Sequence, residues 1–214
     1  MESLSTIPSW IELEHDVAAI LTEQELHGWY FDEPAAWQLA QTLYTELDSL
    51  NQLLRKRYPY VAGTEFTPKR PNKTQGYIAG ATFTRLKEFS PTSRDHIAWV
   101  METLHGWVPD KKTKAGKTAI DETVLKDIGT EESLQFFRCF ELSKQLGMLS
   151  EGKNAWLKLV RDNRIHHHCS VATNTFRCAH RNPNLAQVPS DKQFRALFTA
   201  TPGQLMVGAD LAGI

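Results

Sequence analysis

Thr201-Pro202-Gly203-Gln204-Leu205-Met206-Val207-Gly208-Ala209-Asp210 is the stretch on which the reading of this chain turns. Pro202 and Gly203 spell a tight turn, and the apolar run after them predicts a buried strand with a single carboxylate, Asp210, at its C-terminal end. Upstream, Asn182-Pro183-Asn184-Leu185-Ala186-Gln187-Val188-Pro189 is excluded from regular structure. Its two prolines remove donors and push the residues before them out of the helical region. Further back, Ile165-His166-His167-His168-Cys169-Ser170-Val171-Ala172 predicts a short strand that passes into the polar turn Thr173-Asn174-Thr175-Phe176-Arg177. Without its neighbours, an aspartate after an apolar strand reads as a turn or helix cap.

Ahead of this region the pattern is helical. Leu13, Val17, Ile20 and Leu21 predict a helix over Trp10 to His27, ended by Gly28 in a left-handed position. Asp32 is the expected N-cap of a long helix to Arg57, whose stripe of Ala36, Ala40, Leu43, Leu47, Leu50 and Leu54 calls for a partner helix. Periodicity fails from Tyr58 to Phe89, where prolines and glycines punctuate a stretch holding Lys69, Arg70, Lys73, Arg85 and Lys87. An irregular loop or small subdomain is expected there, and a loop that long is usually functional or disordered. Thr92 and Asp95 are placed for a capping box on a helix through Ile97, Val100, Met101 and Leu104. Asp121 caps a short helix closed by Gly129, and a last helix from Thr130 turns Leu134, Phe137 and Phe140 inward.

Composition and charge narrow the function classes. The chain has 214 residues, is 41% hydrophobic and carries a formal net charge of -1. Such a chain can bury a real core. No apolar run approaches membrane-spanning length and no signal peptide is evident, so no membrane partner and a cytoplasmic location are expected. Cys139, Cys169 and Cys178 lack metal-site spacing and read as reduced thiols. The charge is polarised: residues 1 to 50 hold ten carboxylates and no Lys or Arg, whereas Lys158 to Arg195 holds seven cations against Asp162 and Asp191. A polyanion-binding face has this pattern, as do many solvated surfaces. His166-His167-His168 invites a metal reading, but neighbours along a strand point to opposite faces, so at most His166 and His168 could share an ion.

The run from Thr175 through Arg177 to Pro189, followed by Ala209-Asp210-Leu211-Ala212-Gly213-Ile214, resembles the palm of a family A DNA polymerase, the DNA polymerase I-like family. In that family a Thr-Gly-Arg motif precedes a Pro-Asn-Leu-x-x-Ile-Pro loop, and the first catalytic motif follows. Ala186-Gln187 points to the phage-type branch. Phe176 departs from the family's usual glycine, and Ile214 stands one residue before its glutamate, so a fragment, or the N-terminal piece of a split polymerase, is expected. Phe89 to Ile97, Gly106-Trp107-Val108-Pro109 and Ser150 to Leu157 are also similar to the phage polymerases.

The resemblance implies an α+β, predominantly helical fold, the helical thumb of a right-hand polymerase followed by the first strands of the palm sheet. Residues 1–57 would form a helical pair at the base of palm and thumb, 58–89 the irregular basic segment, 90–155 the thumb helices and 156–214 the start of the palm. It implies that Asp210 and the main-chain carbonyl of Leu211 bind Mg2+, of which the complete enzyme uses two ions to join a primer end to a deoxynucleoside triphosphate. Arg177, a donor-only side chain, would test the primer end through minor-groove acceptors that every base pair presents. Asn184 and Gln187 would continue that track, with His180 nearby and Lys69, Arg70 and Lys73 on the backbone of primer-template DNA. A second polypeptide carrying the remaining parts is an expected partner, and the 214 residues alone are expected to bind DNA weakly without polymerising. Two other classes stay open: a non-enzymatic DNA-binding remnant of such a polymerase, and a helical interaction protein without a DNA role.

Overall fold

Several helices start on the side-chain acceptors that the sequence offers. Asp32 accepts the Ala35 N–H at 3.0 Å, Asp121 the Val124 N–H at 2.9 Å and Thr130 the Ser133 N–H at 3.2 Å. Each satisfies a donor that the first helical turn leaves without an intrahelical partner. A computed structural model describes residues 8–174 and 177–209. In chain order its elements are α1 (Ser9–His27), β1 (Trp29–Tyr30), α2 (Glu33–Arg57), β2 (Tyr60–Phe66), β3 (Phe83–Glu88), α3 (Arg94–Thr103), α4 (Glu122–Ile128) and α5 (Glu131–Leu146). A π-turn (Gly147–Glu151) leads to α6 (Trp156–Leu159), β4 (Arg164–Ile165), β5 (His168–Ser170), β6 (Ala179–Arg181), a 3-10 turn (Leu185–Gln187) and α7 (Lys192–Arg195). The fold is α+β. Its contacts divide the chain into two units, one of residues 1–42 with 146–214 and one of residues 43–145.

The 43–145 unit is built on an aromatic and aliphatic core of Leu54, Tyr58, Val61, Phe89, Ile97, Val100, Met101, Leu125, Phe136 and Cys139. Phe89 and Phe136 pack at 5.9 Å between ring centres, and each lies within about 6 Å of Tyr58. The Tyr58 hydroxyl meets His105 Nε2 at 2.8 Å. Arg138 ties α5 to α2 by donating to both carboxylate oxygens of Glu46, at 2.6 and 2.8 Å.

Three expectations for this unit need correction. The Tyr58–Phe89 segment is a β2–β3 hairpin and not an irregular loop: the strands pair antiparallel, Tyr60 opposite Glu88 and Phe66 opposite Phe83, with a bulge between Ala62 and Glu65. Gly63 sits in that bulge, where an added Cβ would stand 2.7 Å from the Arg85 carbonyl oxygen. Only Val61 of these strands is buried, so the sequence carries no alternation to betray them. The cap of α3 is Ser93, whose hydroxyl accepts the His96 N–H, and not Thr92. On α5 the fully buried positions are Ser133, Phe136, Cys139, Leu142 and Leu146, while Leu134 is 45% exposed and Phe137 and Phe140 only flank the core. Small side chains at 133 and 139 let the helix approach closely, a signal that an apolar stripe does not show.

The other unit is organised around Trp156, fully buried against Phe31, Phe194 and Phe198, with ring centres 5.1 to 6.1 Å apart. Backbone pairing holds that cluster: β1 pairs antiparallel with β4, Trp29 opposite Ile165, while Asp32 donates to Leu197 O and Phe31 to Asn163 O. Gly28, at φ +65°, ends α1 as expected, and a Cβ there would meet His166 Nδ1 at 2.8 Å.

Here too the structure departs from the sequence reading. Helix α1 has no buried residue; its Val17, Leu21 and Glu25 face β5, so its docking is to a strand. The expected strand over 165–172 is split into β4 and β5, and β5 pairs antiparallel with β6, Cys169 opposite His180. Residues 204–209 are not a strand and not buried: Leu205 is 92% and Val207 89% exposed. A strand needs a neighbour to receive its backbone groups, and among the described residues none is offered to this segment. The turn before it is as expected, with Gln204 donating to Thr201 O at 2.9 Å and Gly203 at φ +85°.

Candidate nucleic-acid interface

The β5–β6 ribbon and the loop after it carry most of the residues singled out in the sequence. Arg177 stands just before β6 with its side chain exposed, and its carbonyl accepts a hydrogen bond from Thr173 Oγ1 at 2.9 Å. Further along, His180 lies half-buried and stacks on His167 with ring centres 4.9 Å apart and planes inclined by 17°. The three histidines run from the gap between β4 and β5 into the first residue of β5. His166 Nδ1 reaches the Glu25 carbonyl at 2.8 Å and His168 Nδ1 the Glu25 carboxylate at 2.9 Å, whereas His167 points the opposite way and is buried.

The loop is shaped by its own polar groups. Asn184 accepts the Ala186 N–H at 3.2 Å and so caps the 3-10 turn that holds Gln187. Both amide side chains are on exposed residues. Asn182 accepts from Asn154 at 3.4 Å, and Arg195 Nε donates to Pro189 O at 3.3 Å, fixing the far end of the loop. Between ribbon, loop and α7 lies a half-open cleft of about 380 Å³ lined by Trp29, His167, His180, Leu185, Ala186, Val188, Arg195, Phe198 and Met206.

In the sequence His167 is only the middle residue of the histidine run, set on the opposite face from His166 and His168. Both of its ring nitrogens are buried without a hydrogen-bond partner among the described residues. Burial, and then the adjacent His180, hold its pKa below the ordinary 6.5, so the ring is neutral at neutral pH. A neutral imidazole can stack flat on a second one without charge repulsion. Arg195 likewise reads in the sequence only as part of the basic run; its role in holding Pro189 depends on tertiary contact and has no local signature.

The structure brings Arg177, His180, Asn184 and Gln187 together on one ribbon and loop. Lys69, Arg70 and Lys73 are exposed on the connection between β2 and β3, in the other unit. Asp210 and Leu211 lie outside the described residues. Among the described residues, no group of three or more His, Cys, Asp or Glu side chains is placed to hold a metal ion, and no helix is long and apolar enough to cross a membrane.

No protein-family model matches the chain. The DNA-directed DNA polymerase of Escherichia phage T7 is 30% identical over 89% of this chain, and that of Enterobacteria phage T3 is 29% identical over the same share. The chain spans 35% of the length of either relative. Among solved structures, the POL domain of Pol1 from M. smegmatis, in complex with DNA primer-template and dNTP, superposes with a TM-score of 0.63 at 16% identity. The match covers 89% of this chain and 30% of that one. The comparisons lend no support to a second polypeptide. With the fold shared and the sequence matched along nearly all of its length, the chain is a homologue of the phage T7 and T3 DNA-directed DNA polymerases.

Proposed function

We propose that this chain is part of a DNA-directed DNA polymerase that extends a primer on a DNA template from deoxynucleoside triphosphates, supplying the thumb, the minor-groove contacts and one catalytic aspartate. The observation that carries the reading is the 30% identity to the T7 polymerase across 89% of the chain. The site geometry agrees with it. Arg177, Asn184 and Gln187 are exposed on a ribbon and loop whose backbone is held from behind. Side chains on such a support can form a row of donors for N3 and O2 of successive base pairs, which reads pairing without reading sequence. His180, half-buried in its stack, positions the strand that follows Arg177, which suits support of the row better than a direct backbone contact.

The metal chemistry belongs to the same proposal. Asp210 offers a hard carboxylate oxygen and Leu211 a main-chain carbonyl, the donor types that Mg2+ takes. When bound, two such ions would activate the primer hydroxyl and stabilise charge on the triphosphate. What the described residues do is hold and inspect the primer end. The thumb role falls to residues 90–155, and Lys69, Arg70 and Lys73 on the β2–β3 connection would meet phosphates through charge alone.

Primer-template binding by the purified chain, followed by anisotropy over a salt series, tests the reading. Replacing Lys69, Arg70 and Lys73 together by alanine is expected to lower the slope of log K against log salt by about 0.9 for each phosphate that the chain no longer neutralises. Binding that ignores salt in the unsubstituted chain would contradict a DNA role altogether.

A further inference from the structure

Two of the three cysteines, Cys169 in β5 and Cys178 just before β6, lie on one side of the ribbon beside Arg177. The register sets Cys169 opposite His180 and Ser170 opposite Ala179. Residues two apart share a face, so Cys178 falls diagonal to Cys169 on the same side of the ribbon, and closing a disulfide there draws the backbone just before β6 inward. Cys178 stands one residue before β6, close enough for its thiol to perturb that of Cys169. Both are free thiols, Cys178 exposed and Cys169 buried. Burial and the neighbouring Cys178 thiol push the Cys169 pKa up.

We propose that Cys169 and Cys178 are a reversible dithiol–disulfide site that closes across the base of the Arg177 loop, with a low-molecular-weight disulfide as oxidant. The exposed Cys178 reacts first, its thiolate attacking one sulfur of the small disulfide and releasing one small thiolate. Cys169 then loses its proton to water and attacks Cys178 Sγ in the mixed disulfide, and the second small thiolate leaves. Two protein thiols are oxidised and one small disulfide is reduced to two thiols. Closure fixes the two ends of the segment in which Thr173 already bonds the Arg177 carbonyl, so it changes how freely Arg177 meets a ligand. The cross-link stands on the ribbon geometry; its effect on DNA rests on the function proposed above.

Cys139 is the built-in control. It is fully buried in the other unit, its Sγ donates to Asn51 Oδ1 at 4.0 Å, and burial pushes its pKa up to about 12. A thiol held so far from its thiolate is inert to exchange.

The test equilibrates the purified chain with glutathione disulfide, alkylates the remaining thiols and maps the peptides by mass. A Cys169–Cys178 cross-link with Cys139 alkylated is expected; Cys178→Ser abolishes the cross-link, and Cys169→Ser leaves glutathione trapped on Cys178. Wild-type protein that keeps glutathione on Cys178 while Cys169 is alkylated would overturn the site. Primer-template affinity is then compared before and after oxidation, with a change expected in the wild type and none in Cys178→Ser. A cross-linked protein with unaltered affinity would overturn the consequence for DNA while leaving the dithiol site in place.

Discussion

The 43–145 unit and the 164–209 region put their residues to opposite uses. In the first, one core gathers side chains from α2, the β2–β3 hairpin, α3, α4 and α5, and Arg138 clamps two of those helices from outside. In the second, strands of two and three residues, a 3-10 turn and a four-residue helix leave most polar side chains at the surface. Under the proposed function this region presents donors to DNA, and donors kept for a ligand cannot also be buried. Its shape is therefore kept by a few aromatic anchors, Phe194 and Phe198 on Trp156, and by loop hydrogen bonds.

The contrast can be broken first at its strongest point. Phe136→Ala removes a fully buried ring that touches both Tyr58 and Phe89, and a loss of about 3–5 kcal/mol is expected in denaturant unfolding. A loss near that of a surface substitution would mean that this core is not the stabilising one.

A middle-sized effect is expected at His167. Its folded pKa lies below the ordinary 6.5, so the unfolded chain binds more protons as the medium turns acid, and stability falls as pH drops below about 6.5. Above that value His167 contributes no slope. His167→Phe keeps the flat stacking surface and should remove its share of the acid slope, read as the difference between the two stability profiles. Identical profiles would show that His167 charges as easily folded as unfolded.

The smallest effect is expected at the exposed end. Leu205→Ser should change stability by no more than about 0.5 kcal/mol, because 92% of that residue is already in water. A large loss would show that residues 204–209 pack somewhere after all.

How much of this was legible in the sequence follows the same division. Helix starts at Asp32, Asp121 and Thr130 were readable, since capping is local chemistry between residues three apart. The β2–β3 hairpin was not, because exposed strands have no buried face to impose alternation, and the prolines and glycines of their long connection dominate the local pattern. Leu205 to Val207 misled in the reverse sense: apolar sequence states what a strand would like to bury, and only a neighbour can bury it. Within the site, Arg177, Asn184 and Gln187 stood out through a motif that resembles that of the phage polymerases, and the structure has all three exposed on one ribbon and loop. The partnership of His167 with His180 was not, being a contact across a ribbon whose register the sequence does not print.

The most direct test of the account is primer-template binding with a matched and a mismatched terminal pair, measured on the unsubstituted chain and on Arg177→Ala. The unsubstituted chain is expected to prefer the matched end and Arg177→Ala to bind both ends alike. Equal weakening on both substrates, with the preference kept and the salt slope reduced by about 0.9, would make Arg177 a phosphate contact and contradict its role as a reader of the primer end.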